Sequence, residues 1–319
     1  MKARECLESN FSQRIRDMLA YKKALGYSPE SYRNHLLQFN AHCLSKFSDE
    51  TELTKELVTA WAAARPEEAI NGHNRRLATI REFGRYLQSV GQSAYVLPPK
   101  MSAKQTQFVP YLYTDAELKA FFFGADHCNT NSVPLRRYIV PVIFRLIYCC
   151  GLRPNEGRMI KLADLDMQTG KLYIRESKRH KDRAVALTDE LLRLCEAYLV
   201  VRGRLRAESE YLFPNGTGQA YSYQWLHNCF RDCWKVADMP VPKGARIYDF
   251  RHTFATRRLH DWMDQKEDLY FWLPYLSAYM GHSQFSSTAY YIHLLSERLI
   301  SSPAINWKAF ADLLPEVSE

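Results

Sequence analysis

The sequence predicts a mainly α-helical protein of two domains, with a small antiparallel β-sheet in the C-terminal domain. The chain has 319 residues, and domains usually contain ~100–200 residues, so two are expected. Hydrophobic residues make up 46% and charged residues 24%, which is typical of a globular protein. Apolar residues recur at helical spacing along most of the chain, while two short runs, 171–175 and 184–187, alternate as strands do.

Residues 1–95 are expected to form a helical domain. One helix covers residues 11–25 and ends at Gly26, and the next begins where Ser28 suits a cap and Pro29 a first turn. A later helix, over residues 71–90, carries two arginines one turn apart on a face away from its apolar stripe. Such a face is either solvated or follows DNA phosphates. We therefore treat these arginines as candidate DNA contacts: Arg81 and Arg85.

Residues 96–110 are expected to be a linker, because prolines and small polar residues interrupt the periodicity. The second domain then covers residues 111–319. Its first helix should be capped by Thr114, with Glu117 completing a capping box. Beyond the two strand-like runs, the pattern is helical with Gly- and Pro-containing breaks near residues 214–218 and 240–244.

The net charge of +8 excludes an acidic solvating protein and is compatible with a nucleic-acid partner, an anionic membrane or chance. No apolar run approaches the ~20 residues of a membrane span, and the N-terminus lacks an apolar stretch of signal-peptide length. We expect a cytoplasmic protein without a membrane partner. The eight cysteines are scattered without metal-ligand spacing, which indicates reduced, buried thiols.

Four stretches of the second domain offer cations, proton carriers or hydroxyls: residues 150–156, 177–183, 248–256 and 280–293. Together they supply two arginines able to grip a phosphate, a lysine acid, an imidazole and a phenol. These groups can break a phosphodiester without a metal, because cations neutralise the phosphate oxygens and the phenol attacks. No metal or other cofactor is expected, since the acidic residues match no two-metal arrangement: Asp164, Asp166 and Asp249.

The order and spacing of these stretches resemble the tyrosine recombinase (phage integrase) family over about residues 11–300. The sequence GLRPNE resembles the first-arginine motif, which implies that Arg153 clamps the phosphate and Glu156 supports it. SKRHKDRAVAL resembles the β-hairpin signature and implies Lys178 as the acid toward the leaving 5′ oxygen. RHTFAT resembles the second-arginine box and implies Arg251 as the second clamp.

The last motif implies the histidine and the nucleophile. MGH places His282 at the family's His/Trp position, and Tyr291 follows nine residues later at the usual spacing, which favours it over Tyr290 as the nucleophile. His252 is expected to be a core or supporting histidine rather than a catalyst. The other basic residues of the hairpin are expected to contact DNA rather than react: Arg179, His180, Lys181 and Arg183.

One position departs from the family pattern, which usually has His or Lys where this chain has Tyr248. A phenol, with a pKa near ~10, is a poor base at neutral pH but a good hydrogen-bond donor. Tyr248 can therefore hold a phosphate oxygen, while His282, a solvent route or the phosphate itself takes the proton of Tyr291. We expect cleavage ~10–1,000-fold slower than in a relative with His there.

The resemblance implies a C-shaped clamp around double-stranded DNA and a 3′-phosphotyrosyl intermediate. It further implies a tetramer on two DNA sites, a monomer or dimer when free, and a second recombinase as a candidate partner. The apolar stripe in residues 300–319 is as compatible with docking on a neighbour as with self-packing: Trp307, Phe310, Leu313 and Leu314.

Within the family, we favour an integrase or transposase of a mobile element. Tyr248 argues against a chromosome-dimer resolvase, because such enzymes usually carry His at this position. No arm-binding domain is evident ahead of residue 11, which argues against the phage integrases that bind arm sites. The alternatives are that resolvase, a catalytically weak or inactive DNA-binding protein of the same fold, or a type IB topoisomerase-like enzyme. The DNA sequence recognised is not readable from the chain.

Overall fold

The computed structural model describes most of the chain, and the described residues form helices with one three-stranded antiparallel sheet. The predicted fold class, mainly α with a small sheet in the C-terminal domain, is confirmed. The chain divides into two compact units between residues 108 and 109. Side chains are described except those of Ser286 and His293, over these ranges: 9–99, 109–128, 135–175, 182–205, 208–282 and 284–293.

The N-terminal unit contains helices α1 to α4 among its described residues: Ser12–Ala24, Glu30–Lys46, Lys55–Ala62 and Ile70–Ser89. Its core is built on aromatic rings from separate helices, because Phe39 lies within 6.0 Å of the rings of Phe11, Phe83 and Trp61. The expected cap at Ser28 is wrong. The N-cap of α2 is Pro29, whose restricted φ of −68° already suits a helix, so no side-chain cap forms.

The C-terminal unit carries the remaining described elements. The helices are α5 to α12: Asp115–His127, Arg136–Cys149, Pro154–Arg158, Asp189–Arg204, Tyr223–Val236, Asp249–Asp264, Leu269–Met280 and Ser286–His293. The strands are β1 to β3: Leu165–Asp166, Lys171–Ile174 and Arg183–Ala186. The capping box of Thr114 and Glu117 at the start of α5 is confirmed.

Helix α6 lies in the middle of this unit and packs against α5, α8 and α10. Its apolar residues are buried on more than one face, as expected for a central helix: Ile139, Val140, Val142, Ile143, Phe144, Leu146 and Ile147. After α6, Gly151 adopts φ +57°, a left-handed conformation that favours glycine. This turn directs the chain into Arg153 at the start of α7.

The sheet has the order β1-β2-β3, and all its pairs are antiparallel. Leu172 pairs with Val185, and both side chains are buried against the core, so the strands are held by one apolar face. The two predicted strands are confirmed to within a residue or so at each end. Strand β1 was not predicted, because two residues are too few to alternate. The β2–β3 connection includes residues 176–181, which lie outside the described residues.

Helices α10, α11 and α12 pack on one another around a small separate apolar cluster. Its buried members are Ala255 and Leu259 of α10, Leu273, Leu276 and Met280 of α11, and Tyr291 of α12. Helix α11 ends at Gly281, which is left-handed with φ +63°. This turn carries the chain through His282 into α12.

Across the part of the chain that the structure describes, no helix has both the length and the apolar character to cross a membrane. The seven cysteines within it are unpaired thiols, and all but the half-buried Cys149 are buried. In the same residues, no group of three His, Cys, Asp or Glu side chains is placed to hold a metal ion.

Candidate active site

Five of the six residues predicted to be catalytic converge in the C-terminal unit. Arg153 lies at the start of α7, Tyr248 and Arg251 at the start of α10, His282 between α11 and α12, and Tyr291 on α12. Arg153 and Arg251 donate to neighbouring carbonyl oxygens, and the ring of His282 stacks on that of Tyr291. The sixth, Lys178, lies outside the described residues, as do three of the predicted DNA contacts: Arg179, His180 and Lys181.

The end of α11 organises the arginines of the site. Three guanidinium groups donate to three successive carbonyl oxygens of that helix end. Arg183 Nε donates to Tyr279 O at 2.8 Å, and Arg153 Nη2 donates to Gly281 O at 3.0 Å. Arg251 Nη2 donates to the carbonyl between them, that of Met280. The last carbonyls of a helix lack intrahelical partners and lie at its negative end, so cations are stabilised there.

Arg251 is completely buried. Its Nη1 also donates to Gly151 O at 2.6 Å, so the turn after α6 and the end of α11 hold it from two sides. Its Nε is buried without a hydrogen-bond partner among the described residues. Burial, followed by the nearby charge of Arg153, lowers the pKa of Arg251 to about 10. The group therefore stays charged at neutral pH while being short of counter-charge.

Glu156 is the carboxylate that holds Arg153. Arg153 Nη1 donates to Glu156 Oε1 at 2.6 Å, and Arg183 donates to both oxygens of the same carboxylate at 3.1 and 2.7 Å. Burial alone would raise the pKa of Glu156, but the hydrogen bonds and charge of Arg183, with those of Arg153, outweigh it and lower the pKa to about 2. The carboxylate is thus ionised over the whole physiological range and fixes both arginines.

His282 is held by the helix that follows it. Its Nδ1 lies 2.7 Å from Thr288 Oγ1, and its ring stacks on that of Tyr291 at a centroid distance of 6.0 Å. Burial, followed by the charges of Arg251 and Arg153, lowers the pKa of His282 to about 3. The imidazole is therefore neutral at pH 7 in the free protein.

Tyr291 is 2% exposed and packs against α10 and α11. Its Oη lies 3.2 Å from His252 Nδ1. Burial raises the pKa of Tyr291 to about 12, and Arg251 opposes that shift. The phenol is therefore protonated at neutral pH, and deprotonation requires an acceptor. Tyr290, its neighbour in sequence, is more exposed and packs edge-on against the Tyr291 ring.

Tyr248 is half-buried at the N-cap of α10, and its ring lies 5.1 Å from that of His252. The ring of His252 in turn lies 5.6 Å from that of Tyr291. His252 thus stands between the two tyrosines, a position that the sequence interpretation did not give it. The sequence spacing could have indicated that His252 lies beside Tyr248, because residues four apart on a helix share a face.

The described members of the predicted DNA-binding set have different surroundings. Arg81 Nε donates to Leu97 O at 2.8 Å, which ties α4 to the chain that follows it. Arg85 is 55% exposed and pairs with Glu82. Arg183 is 7% exposed and is engaged by Glu156, so in the free protein it positions the first arginine. The sequence missed this role, because it depends on a contact between β3 and α7.

Comparison with known proteins identifies the family. The sequence pattern of the phage integrase family matches residues 124–298, more than half of the chain. The chain belongs to this family. The matched range contains all six residues predicted to be catalytic, so the resemblance to the tyrosine recombinases is confirmed at the level of the family.

Relatives of this phage integrase family member extend over nearly its whole length. An integrase/recombinase of Sinorhizobium fredii, y4rB, is 29% identical over 89% of this chain and 93% of its own. The tyrosine recombinase XerD of Rickettsia conorii is 24% identical over 91% and 95%. Among solved structures, the XerH site-specific recombinase in a post-cleavage complex with palindromic difH substrate has a TM-score of 0.67 at 18% identity. That match covers 94% of this chain and 85% of XerH, and it shows a shared fold.

Proposed function

We propose that this chain is a site-specific DNA recombinase, the integrase or transposase of a mobile element, that acts through a 3′-phosphotyrosyl link to Tyr291. The observation that carries the proposal is the grouping of Arg153, Arg251 and Tyr291 around the end of α11. Two cations held beside a buried phenol are suited to an anion that the phenol attacks.

The two arginines form the phosphate clamp. Each is fixed by backbone carbonyls, so neither must reorganise when negative charge develops on the phosphate oxygens. Arg153 lowers the pKa of Arg251 in addition to the effect of burial, which reflects the repulsion of like charges. A phosphodiester between them removes that repulsion, and both guanidiniums can donate to it.

The reaction exchanges one phosphodiester for another. Tyr291 Oη forms a bond to phosphorus while the bond from phosphorus to the 5′ oxygen breaks, and Lys178 gives that oxygen a proton. His282 and Tyr248 hold the non-bridging oxygens. Because the phosphotyrosyl link conserves the bond energy, attack by another 5′ hydroxyl rejoins strands without ATP.

The wider organisation follows from the family. We propose double-stranded DNA as the partner, with a helical domain of residues 1–95, a linker of residues 96–110 and a catalytic domain of residues 111–319. Four protomers on two DNA sites would carry out strand exchange. The exposed Arg85 and the basic residues between β2 and β3 are placed in contact with the DNA backbone in this proposal, which the net charge of +8 supports.

The mobile-element role rests on two observations. Of the relatives described above, the one with the higher identity, y4rB, is named as an integrase/recombinase. Tyr248 also stands where the family usually has His or Lys, a departure we do not expect in a chromosome-dimer resolvase. The resolvase stays the second candidate because XerD aligns over nearly the whole chain. Excision of DNA between repeats that flank the gene would identify the mobile element.

Covalent trapping tests the chemistry. Duplexes bound by the full chain are selected from a randomised library and resynthesised with nicks, so that a short 5′-hydroxyl fragment diffuses away after cleavage. We expect a protein–DNA adduct that resists denaturation and is lost in Tyr291→Phe. Tyr290→Phe, which removes a hydroxyl from the adjacent residue, should still form it.

The outcomes separate the alternatives. Binding without an adduct would indicate a DNA-binding protein of the same fold and refute the enzyme. An adduct accompanied by relaxation of supercoiled plasmid, without exchange between two sites, would indicate a topoisomerase-like enzyme. An adduct that persists in Tyr291→Phe would place the nucleophile elsewhere.

A further inference from the structure

The proposed reaction needs a group that takes the proton of Tyr291, and the family position for such a group holds a phenol, Tyr248. The imidazole of His252 lies in hydrogen-bonding distance of the nucleophile, with 3.2 Å between its Nδ1 and Tyr291 Oη. Arg251 also approaches this hydroxyl, but a guanidinium cation has no lone pair to accept a proton. That distance suits a general base already aligned with the proton it removes. His252 follows Arg251 directly, so the same helical turn fixes both groups.

The other histidine of the site is oriented differently. The Nδ1 of His282 lies 2.7 Å from Thr288 Oγ1 and is therefore already engaged, and its ring lies nearly parallel to that of Tyr291 at a centroid distance of 6.0 Å. Proton transfer needs a nitrogen in hydrogen-bonding distance of the hydroxyl, a contact shown for His252 and not for His282. The geometry therefore separates the roles of the two histidines.

We propose that His252 is a catalytic residue that accepts the proton of Tyr291, in place of the His or Lys that this chain lacks at position 248. The proposal rests on the proposed recombinase function. As Tyr291 Oη bonds to phosphorus, its proton moves to His252 Nδ1, while the 5′ oxygen leaves with a proton from Lys178. Rejoining reverses both transfers, so no oxidant, metal or further reactant is consumed. The step requires the tautomer of His252 that carries its proton on Nε2.

The surroundings of His252 keep its lone pair available. Burial is the largest influence and lowers the pKa of His252 to about 4, so the ring is neutral at pH 7. An anionic phosphate bound by the arginines would raise this pKa toward the operating pH, where a general base is most effective. The titratable and charged groups facing the ring come from α10 and the residues before it, from α12, and from the turn between α11 and α12: Arg246, Tyr248, Asp249, Arg251, His282 and Tyr291.

The test is the pH dependence of single-turnover cleavage by the His252→Gln variant on the nicked duplexes. Without an acceptor, the reaction depends on hydroxide or preformed tyrosinate. We expect a rate ~10²–10⁴-fold below the parent near neutral pH, with the deficit shrinking as pH rises toward the pKa of Tyr291, about 12. A deficit below about threefold, or one of equal size at every pH, would overturn the proposal.

A second variant separates loss of the base from loss of structure. Tyr248→His restores an imidazole one helical turn from His252, at the position where the family usually has His or Lys. We expect it to accelerate the His252→Gln variant by a larger factor than it accelerates the parent. Equal factors in both backgrounds would show that His252 and position 248 do not share the proton-transfer role.

Two controls complete the design. Affinity for the selected duplex, measured by fluorescence anisotropy, should differ less than about threefold between the parent and His252→Gln, since a base contributes to the chemical step. If the parent itself forms no adduct, the proposed function and this inference fail together. If the parent forms it and His252→Gln matches it at neutral pH, the inference alone fails.

Discussion

At the scale of single residues, the site depends on one carboxylate shared between two arginines. Glu156 is 8% exposed and accepts from Arg153 and Arg183, which reach it from α7 and β3. Removing one partner of a buried ion pair leaves an uncompensated buried charge, which destabilises a protein more than the pair itself stabilises it. The three side chains therefore act as one unit in folding and in the placement of the first phosphate clamp.

Replacing this carboxylate should destabilise the protein. For Glu156→Gln, we expect the free energy of unfolding to fall by about 3 kcal/mol, because two largely buried guanidinium groups lose their counter-charge. The matched control is Glu190→Gln, whose carboxylate is 77% exposed and pairs with an exposed arginine one turn away. That change should have a far smaller effect, because water screens an exposed ion pair. Urea denaturation of both variants measures the difference, and equal effects would contradict it.

Most of the residues of the candidate site can be predicted from the sequence motifs alone. Arg153, Arg251, His282 and Tyr291 were predicted from motif order, and the structure brings them together. Arg183 was predicted to contact DNA, and its contact with Glu156 could not be foreseen because it joins segments 27 residues apart. The sequence interpretation expects His252 to be a supporting residue, because a single histidine beside an arginine carries little information. Its spacing of one helical turn from Tyr248 does indicate that the two side chains lie on one helix face.

At the scale of elements, local signals were predicted well and close packing was not. The capping box at α5 depends on residues three apart, and it forms as predicted. Nothing in the sequence around Gly124 of the same helix indicates a close helix contact, yet a Cβ there would lie 1.9 Å from Cys233 O of α9. Two helices that approach so closely need glycine at the crossing, and this can be recognised only once both are in place.

Substitution at this crossing tests the packing. Gly124→Ala should lower the free energy of unfolding by about 1–3 kcal/mol or more, because the α9 backbone must move away from the new methyl group. Gly203→Ala, at an exposed position of α8 where a Cβ meets nothing within 4 Å, should raise it by up to about 1 kcal/mol. Thermal denaturation of both variants checks the opposite signs, and a neutral Gly124→Ala would argue against the close approach.

At the scale of the whole molecule, the buried histidines make stability depend on pH. The folded state holds the pKa of His252 at about 4 and of His282 at about 3, chiefly through burial, against an ordinary value of 6.5. Below pH 6.5 the unfolded chain therefore binds protons that the folded chain excludes. Stability is fully present above that pH and is lost as the pH falls toward the folded pKa values.

We expect the free energy of unfolding of the DNA-free protein to decrease as the pH falls from about 6.5 to 4.5, with a slope of up to about 1.4 kcal/mol per pH unit for each histidine. Urea denaturation across this range measures the slope. The variant His252→Gln should flatten it, whereas His127→Gln, at an exposed position, should leave it as steep. A parent whose stability stays constant over this range would contradict the expectation.

The end of α11 has a consequence for how such a protein can evolve. The acceptors for Arg183, Arg251 and Arg153 are the main-chain oxygens of residues 279, 280 and 281. A point mutation at residue 279 or 280 changes a side chain and leaves the carbonyl oxygen in place, so it does not remove the acceptor. Residue 281 is different, because its φ is +63° and a Cβ there would lie 2.9 Å from Arg183 Nη1. Insertion or loss of one residue there would rotate the oxygens by about 100° around the helix axis. At residues 279 and 280, a change in chain length is therefore expected to disturb the arginines more than a change of side chain.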